Sequence, residues 1–118
     1  MSSPRIRSIV YFENHFKIFL KSQPVKAQDK IFKMLEIIQT LERVPSHYLK
    51  AIRNTEGLYE VRVRLGSNIW RVFCFFDEEK LVILLNGFVK KTQKTPKAEI
   101  NKAELLMKRY YEIKKEEQ

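Results

Sequence analysis

The sequence predicts a single α+β domain, in which an N-terminal strand and a helical hairpin pack on a small antiparallel β-meander that a C-terminal helix follows. Three observations predict it: helical spacing of apolar residues before position 45, a switch to period two at position 58, and renewed helical spacing after position 96. The chain has 118 residues, of which 44% are hydrophobic, as expected for one domain with a small core. We therefore expect residues 1–118 to form one domain.

The N-terminal third predicts one strand and two helices. Residues Ile6 to Phe12 are apolar and rich in β-branched side chains, which favours a strand. Helical spacing follows until Gln23 and Pro24, and Pro24 suits the first turn of a second helix. Pro45 ends that second helix, which has an apolar face made of Ile31, Met34, Leu35, Ile38 and Leu41.

The middle of the chain predicts three antiparallel strands after a loop at 46–57. These strands are Leu58 to Leu65, Ile69 to Phe76 and Leu81 to Leu85, separated by polar turns. Alternation in the first strand places Tyr59, Val61, Val63 and Leu65 on one face and Glu60, Arg62 and Arg64 on the other.

The C-terminal part predicts a basic segment and a final helix. The basic segment runs from Lys90 to Lys97, and within it Thr95 is a candidate N-cap with Pro96 as the first helical residue. Helical spacing continues to the charged tail through Ile100, Ala103, Met107 and Tyr110.

Net charge is the most informative bulk property. The chain carries 23 Lys and Arg against 14 Asp and Glu, giving +9, and such a basic domain suggests a polyanionic partner. Nucleic acid is favoured over the rival partner, an anionic membrane surface. The sequence has neither a signal-peptide pattern nor an apolar run long enough to span a bilayer, so we expect a cytoplasmic protein without a membrane partner.

Common catalytic motifs are absent from the sequence. It contains no Cys-x-x-Cys, His-Glu-x-x-His, phosphate-binding Gly-rich loop or Gly-x-Ser-x-Gly pattern. His15 and His47 lie in different segments, so we expect neither a metal site nor a cofactor. The single cysteine, Cys74, lies in an apolar run and is expected to be a buried, inert thiol.

Positive charge on the predicted sheet is the remaining candidate for chemistry. Arg62 and Arg64 share one face of a strand, Arg71 interrupts an apolar strand, and Lys90 and Lys91 follow the last strand. These five cations could converge on a groove that binds phosphates. Two plainer readings stay open: the arginines form a solvated sheet face with Glu60 as a cross-strand partner, and the basic segment is a solvated loop.

Several stretches resemble one known family. They are Gly57 to Arg64, Trp70 to Phe73, Gly87 to Pro96, and the helical positions Glu99, Ile100 and Ala103. In this order they resemble the phage-derived, HigB-like branch of the RelE/ParE toxin superfamily over nearly the whole chain. The run Phe-Val-Lys-Lys-Thr-x-Lys-Thr-Pro is the most specific part of the resemblance.

The resemblance implies a RelE-like fold and a toxin of a type II toxin–antitoxin system. It implies a metal-independent endoribonuclease that cleaves mRNA at the ribosome through attack of the RNA 2′-hydroxyl, and a helix-turn-helix antitoxin as partner. By position, Arg62, Arg64, Lys90 and Lys91 match the family's basic residues, and Arg71 matches the arginine that contacts the scissile phosphate. Glu60 stands where RelE has a basic residue.

The remaining candidates concern proton transfer and RNA binding. Either Glu60 or one of Lys90 and Lys91 could take the 2′-hydroxyl proton, since crowding by like charge lowers the pKa of a lysine. Further candidate RNA-binding residues are Arg53, Lys94 and Lys97. Two other functions stay open: a ParE-like inhibitor of DNA gyrase, and a nucleic-acid-binding protein without catalysis.

Overall fold

The computed structural model describes residues 4–90 and 95–117. These residues form, in chain order, β1 (Ser8–Tyr11), α1 (His15–Lys21), α2 (Val25–Thr40), β2 (Leu49–Ala51), β3 (Tyr59–Leu65), β4 (Asn68–Phe76), β5 (Leu81–Lys90) and α3 (Lys97–Glu116). The strands form one sheet in the order β1-β5-β4-β3-β2. The predicted α+β class, with a C-terminal helix, is thus confirmed.

The central three strands form the expected meander, because β3 pairs antiparallel with β4 and β4 with β5. β1 pairs in parallel with the other edge of β5. Parallel strands need a long connection, which here includes α1 and α2. β2 lies inside the stretch 46–57 that we predicted to be a loop, so that prediction is wrong for Leu49–Ala51. Three residues are too few to show a period of two, and their pairing partner is β3.

The last meander strand is twice as long as predicted. We expected it to end at Leu85, but β5 continues to Lys90. The β4–β5 register shifts between Val72 and Cys74, which is a β-bulge, and the predicted break at Asn86 and Gly87 falls on it. A Cβ atom on Gly87 would lie 2.5 Å from the ring of Phe19, so the glycine allows α1 to approach β5 closely.

Helices cover both faces of the sheet. α1 and α2 pack on one face, in a core that includes Phe16, Ile31, Ile38, Val63 and Val72. α3 packs on the other face, in a second core that includes Leu58, Phe73, Phe75, Leu85 and Leu106. Because α3 covers only the part of its face near Phe73 and Phe75, the end of the sheet around the β3–β4 turn carries polar side chains on that face.

Two groups of hydrogen bonds attach the C-terminal parts of α2 and α3 to the rest of the fold. The Arg7 guanidinium donates to the carbonyl oxygens of Ile38 (2.9 Å), Leu41 (2.6 Å) and Glu42 (2.7 Å), which satisfies the C-terminal end of α2. At α3, the Tyr110 hydroxyl and the Lys114 ammonium both donate to buried Asp77, at 2.6 and 2.8 Å. These contacts fasten α3 to the turn between β4 and β5.

Smaller boundary differences occur at both ends of the chain. β1 is shorter than the predicted strand from Ile6 to Phe12. α3 begins one residue later than predicted, with Pro96 in the N-cap position that we had assigned to Thr95. Among the described residues, the helices are all too short or too polar to cross a bilayer.

Candidate nucleic-acid interface

Strand register brings basic side chains from four neighbouring strands onto one face of the sheet. Residues that are paired across antiparallel strands point to the same face. Arg62 pairs with Arg71, and Ile69 pairs with both Arg64 and Lys90. Lys50 of β2 pairs with Glu60 of β3 and so joins the same face. We call the residues Lys50, Glu60, Arg62, Arg64, Arg71 and Lys90 the cation face.

A buried ion pair lies at the centre of the cation face. The Arg71 guanidinium donates from Nη1 to Oε1 of Glu60, and the two side chains are 2% and 8% exposed. Arg62 Nε lies 4.0 Å from the same carboxylate oxygen, so Glu60 lies between two guanidinium groups. Within residues 4–90 and 95–117, Glu60 Oε2 and Arg71 Nε have no hydrogen-bond partner.

Burial and like charge perturb the cations of this face. Burial lowers the pKa of Arg71, an effect that Glu60 opposes and that Arg62 and Arg64 add to. Lys90 is half-buried, and its pKa is lowered first by burial and then by the positive charges of Arg71, Arg62 and Lys50. A lysine with a lowered pKa holds a larger neutral fraction near neutral pH, which is the form that accepts protons.

The cation face continues into a groove of about 810 Å³. Arg62 and Arg64 form one part of its wall, and the rest of the lining comprises Lys30, Lys33, Met34, Ile37, His47, Tyr48 and Ile69. Arg64 is exposed and Arg62 half-buried, so both are available to a ligand in solution. The groove places two lysines of α2 beside the two arginines of β3.

The predicted site residues are therefore partly assembled. Arg62, Arg64, Arg71, Lys90 and Glu60 come together on the cation face. Arg53 is exposed between β2 and β3, and Lys97 is exposed at the start of α3, and neither lines the groove. Lys91 and Lys94 lie outside the described residues.

Sequence reasoning missed three basic residues. Lys50 fell in the predicted loop, and only its pairing with Glu60 reveals its face. Lys30 and Lys33 lie on α2 three residues apart, where their spacing resembles any solvated helix surface. Their proximity to β3 depends on tertiary packing, for which the sequence carries no local signal.

The remaining nucleophile and metal candidates are structural. Cys74 is fully buried, as predicted, and burial raises the pKa of its thiol to about 12, which keeps it unreactive. His15 lies 3.1 Å from the Glu13 carboxylate at the surface, away from the groove. Across the described residues, His, Cys, Asp and Glu side chains form no cluster of three or more that could hold a metal ion.

This arrangement can bind phosphodiesters and move a proton. Guanidinium groups bind phosphate in a bidentate manner and remain charged at all physiological pH values. Arg62 and Arg64 offer such groups to solvent, while Glu60 and Lys90 are the residues of this face whose side chains can accept a proton. The described residues therefore contain the groups needed to stabilise charge on a phosphate and to deprotonate a hydroxyl.

Comparison with known proteins gives a family and one structural similarity. Residues 18–108 match the family described as phage derived protein Gp49-like (DUF891). No curated protein sequence matches the chain significantly. Among solved structures, the chain is similar to one in the archaeal RelE–RelB complex from Pyrococcus horikoshii OT3, with 18% identity and a TM-score of 0.46, over 74% of this chain and 93% of that one.

Proposed function

The chain belongs to the Gp49-like family of phage-derived proteins, a toxin family of the RelE/HigB type, and on this basis we propose that it is a metal-independent endoribonuclease that cleaves mRNA. The observation that carries the proposal is the cation face, on which four strands present Lys50, Arg62, Arg64, Arg71 and Lys90 around one carboxylate. Such a concentration of positive charge on a small sheet suits a polyanionic substrate.

Direct contact with the scissile phosphate is assigned to Arg62 and Arg64. Both reach the groove, and neither is held in a short ion pair by another residue of the described chain. Arg71, which we had expected to make this contact, is 2% exposed and bound to Glu60. We therefore give Arg71 a positioning role: it fixes Glu60, and its charge adds to the field at the phosphate. One well-placed donor in direct contact with the phosphate, as proposed for Arg62 and Arg64, contributes about 3 kcal/mol to transition-state stability.

Lys90 is assigned as the general base. In its neutral form it takes the proton of the RNA 2′-hydroxyl, and the resulting oxygen attacks the adjacent phosphorus. The bond from phosphorus to the 5′ oxygen breaks, which leaves a 2′,3′-cyclic phosphate, and the departing 5′ oxygen takes a proton from water. The lowered pKa of Lys90 supports this role, because it enlarges the neutral fraction of the amine at any given pH.

The partners belong to the same proposal. A toxin of this kind requires a neutralising antitoxin, and we propose a helix-turn-helix antitoxin, with the ribosome presenting the mRNA.

The direct test uses purified protein and translating ribosomes programmed with a defined mRNA. We expect cleavage that survives EDTA and gives 5′-hydroxyl and cyclic-phosphate ends. Intact mRNA after incubation with the folded wild-type protein, or 5′-phosphate ends, would contradict the proposed chemistry. Inhibition of DNA gyrase by a protein that leaves mRNA intact would instead indicate a ParE-like inhibitor.

A further inference from the structure

The groove beside α2 differs in charge from the other surface grooves. Its lining includes four cations, Lys30, Lys33, Arg62 and Arg64, and no acidic side chain among the described residues. Three smaller grooves, of about 460 to 590 Å³, each include at least one glutamate, such as Glu13, Glu56 or Glu79. The charged side chains of this groove are therefore all positive, as expected for an anion-binding surface.

An aromatic pair lies in the same groove. The rings of His47 and Tyr48 have centroids 4.2 Å apart, at an angle of 57°. Tyr48 is held in place through its backbone. Its N–H donates to the Pro45 carbonyl oxygen (2.9 Å), and its carbonyl oxygen accepts from the backbone N–H of Arg62 (2.8 Å). His47 is exposed and Tyr48 half-buried, and both residues line the groove together with the four cations.

From these features we infer that the groove is a second RNA subsite, in which Lys30 and Lys33 bind phosphates and the His47–Tyr48 pair stacks on an unpaired base. Proteins that bind single-stranded nucleic acids usually combine cations along the phosphate backbone with aromatic rings on which the bases stack. Double-stranded RNA offers no free base face, so the geometry selects single-stranded RNA. An acidic protein segment would use the lysines but would not need the rings.

This inference rests on the proposed nuclease function and extends it. Arg62 and Arg64 belong to both the cation face and the groove, so one strand of RNA can run from the cleavage site over the edge of β3 onto α2. β2 pairs with Tyr59–Val61, and the Tyr48 carbonyl accepts from the backbone N–H of Arg62. Beyond Arg62, β3 has no strand neighbour at that edge within residues 4–90 and 95–117. The RNA strand therefore passes over α2 after it leaves the cation face at the edge of β3.

The test measures binding of a labelled single-stranded RNA with 2′-O-methyl sugars, which the proposed reaction cannot cleave. The variant Lys30→Ala/Lys33→Ala is compared with Lys21→Ala/Lys102→Ala, which removes the same charge from exposed positions elsewhere. We expect the first variant to raise Kd about tenfold and to reduce the slope of log affinity against log salt by about 1.4, because two phosphate contacts are lost. The control should keep the wild-type slope.

The rings are tested separately. Tyr48→Phe should bind as wild type, whereas His47→Ala and Tyr48→Ala should each weaken binding about tenfold through loss of stacking. His47 is exposed, so its variant remains folded even if Tyr48→Ala does not. On cleavable RNA, the lysine variant should raise KM and leave kcat unchanged.

The outcomes separate this inference from the proposed function. Equal affinity and salt slope in the two lysine variants would overturn the subsite, even if wild-type protein cuts RNA. The inference would also be overturned if Lys30→Ala/Lys33→Ala bound a poly-glutamate peptide more weakly than wild type but bound RNA equally well. That result would favour an acidic protein segment as the ligand. Tight RNA binding that depends on Lys30 and Lys33, without cleavage by wild type, would keep the subsite and remove the nuclease.

Discussion

Glu60 and Arg71 form a buried ion pair between β3 and β4, in the middle of a face that otherwise presents cations to solvent. Arg71 is among the largest fully buried side chains of the described chain. Removing a charge from water is costly, and a buried ion pair seldom repays this cost in stability. The pair is therefore better explained by the position and charge that it gives to the neighbouring arginines than by stabilisation of the fold.

The first prediction follows from replacing both partners together. Glu60→Leu/Arg71→Met should remain folded, with a free energy of unfolding equal to that of wild type or higher, because two apolar side chains replace two desolvated charges. Its kcat should nevertheless fall by about a hundredfold. Arg71→Ala alone should lose roughly 3–5 kcal/mol of stability, since Glu60 is left buried and unpaired. Wild-type kcat in a folded Glu60→Leu/Arg71→Met protein would restrict Arg71 to a structural role.

The second prediction concerns phosphate contact. Arg62→Ala and Arg64→Ala should each reduce kcat by about a hundredfold while the melting temperature stays within a few degrees of wild type, because both side chains reach solvent. Arg62→Lys should recover only part of the rate, since an ammonium group cannot bind phosphate in a bidentate manner. Lys102→Ala provides the matched control, and a similar loss of rate in that variant would point to net charge rather than position.

The third prediction is a pH dependence. Because burial and Arg71 lower the pKa of Lys90, the neutral amine accumulates below pH 10.5, and cleavage should accelerate with rising pH up to an inflection under that value. Lys90→Arg keeps the charge but stays protonated, so the variant should be slow and its rate should lack the inflection. An unchanged pH–rate profile in Lys90→Arg would assign the proton transfer to another group.

The fourth prediction concerns the attachment of α3. Hydrogen bonds from Lys114 and Tyr110 lower the pKa of Asp77, so the folded state binds this proton less readily than the unfolded state. The resulting stability is present above the ordinary aspartate pKa of 3.8 and is lost as pH falls through the lower folded value. Asp77→Asn should cost about 1–3 kcal/mol at pH 7 and flatten the acid limb of the unfolding curve measured by circular dichroism.

Periodicity predicted much of the fold because α2, α3 and β3 each have one apolar face. The sequence shows the α2 face over five positions and the β3 face over four. The structure buries or half-buries all of these side chains except Leu41, which follows α2 and is 42% exposed. β2 and the far half of β5 escaped prediction for different reasons. β2 exists through its pairing with β3, and the bulge beside Gly87 reverses the alternation that would have extended β5.

The site was predictable where charge interrupts a pattern. Arg71 stands out in an apolar strand, and Arg62 and Arg64 share a face through simple alternation. The burial of Arg71 against Glu60 was not predictable, because it depends on a diagonal contact between two strands. The role of Lys30 and Lys33 was not predictable either, because α2 approaches β3 only in the folded chain.

The central claim is that Arg62 and Arg64 of the cation face support RNA cleavage. Mapping of mRNA 5′ ends in cells tests this claim most directly. The wild-type protein, Arg62→Ala/Arg64→Ala and Lys21→Ala/Lys102→Ala are each induced without the antitoxin. We predict new mRNA ends inside translated regions for wild type and the lysine control, and none for the arginine variant at equal protein level. Intact mRNA with wild-type protein, or equal cleavage by the arginine variant, would contradict the account.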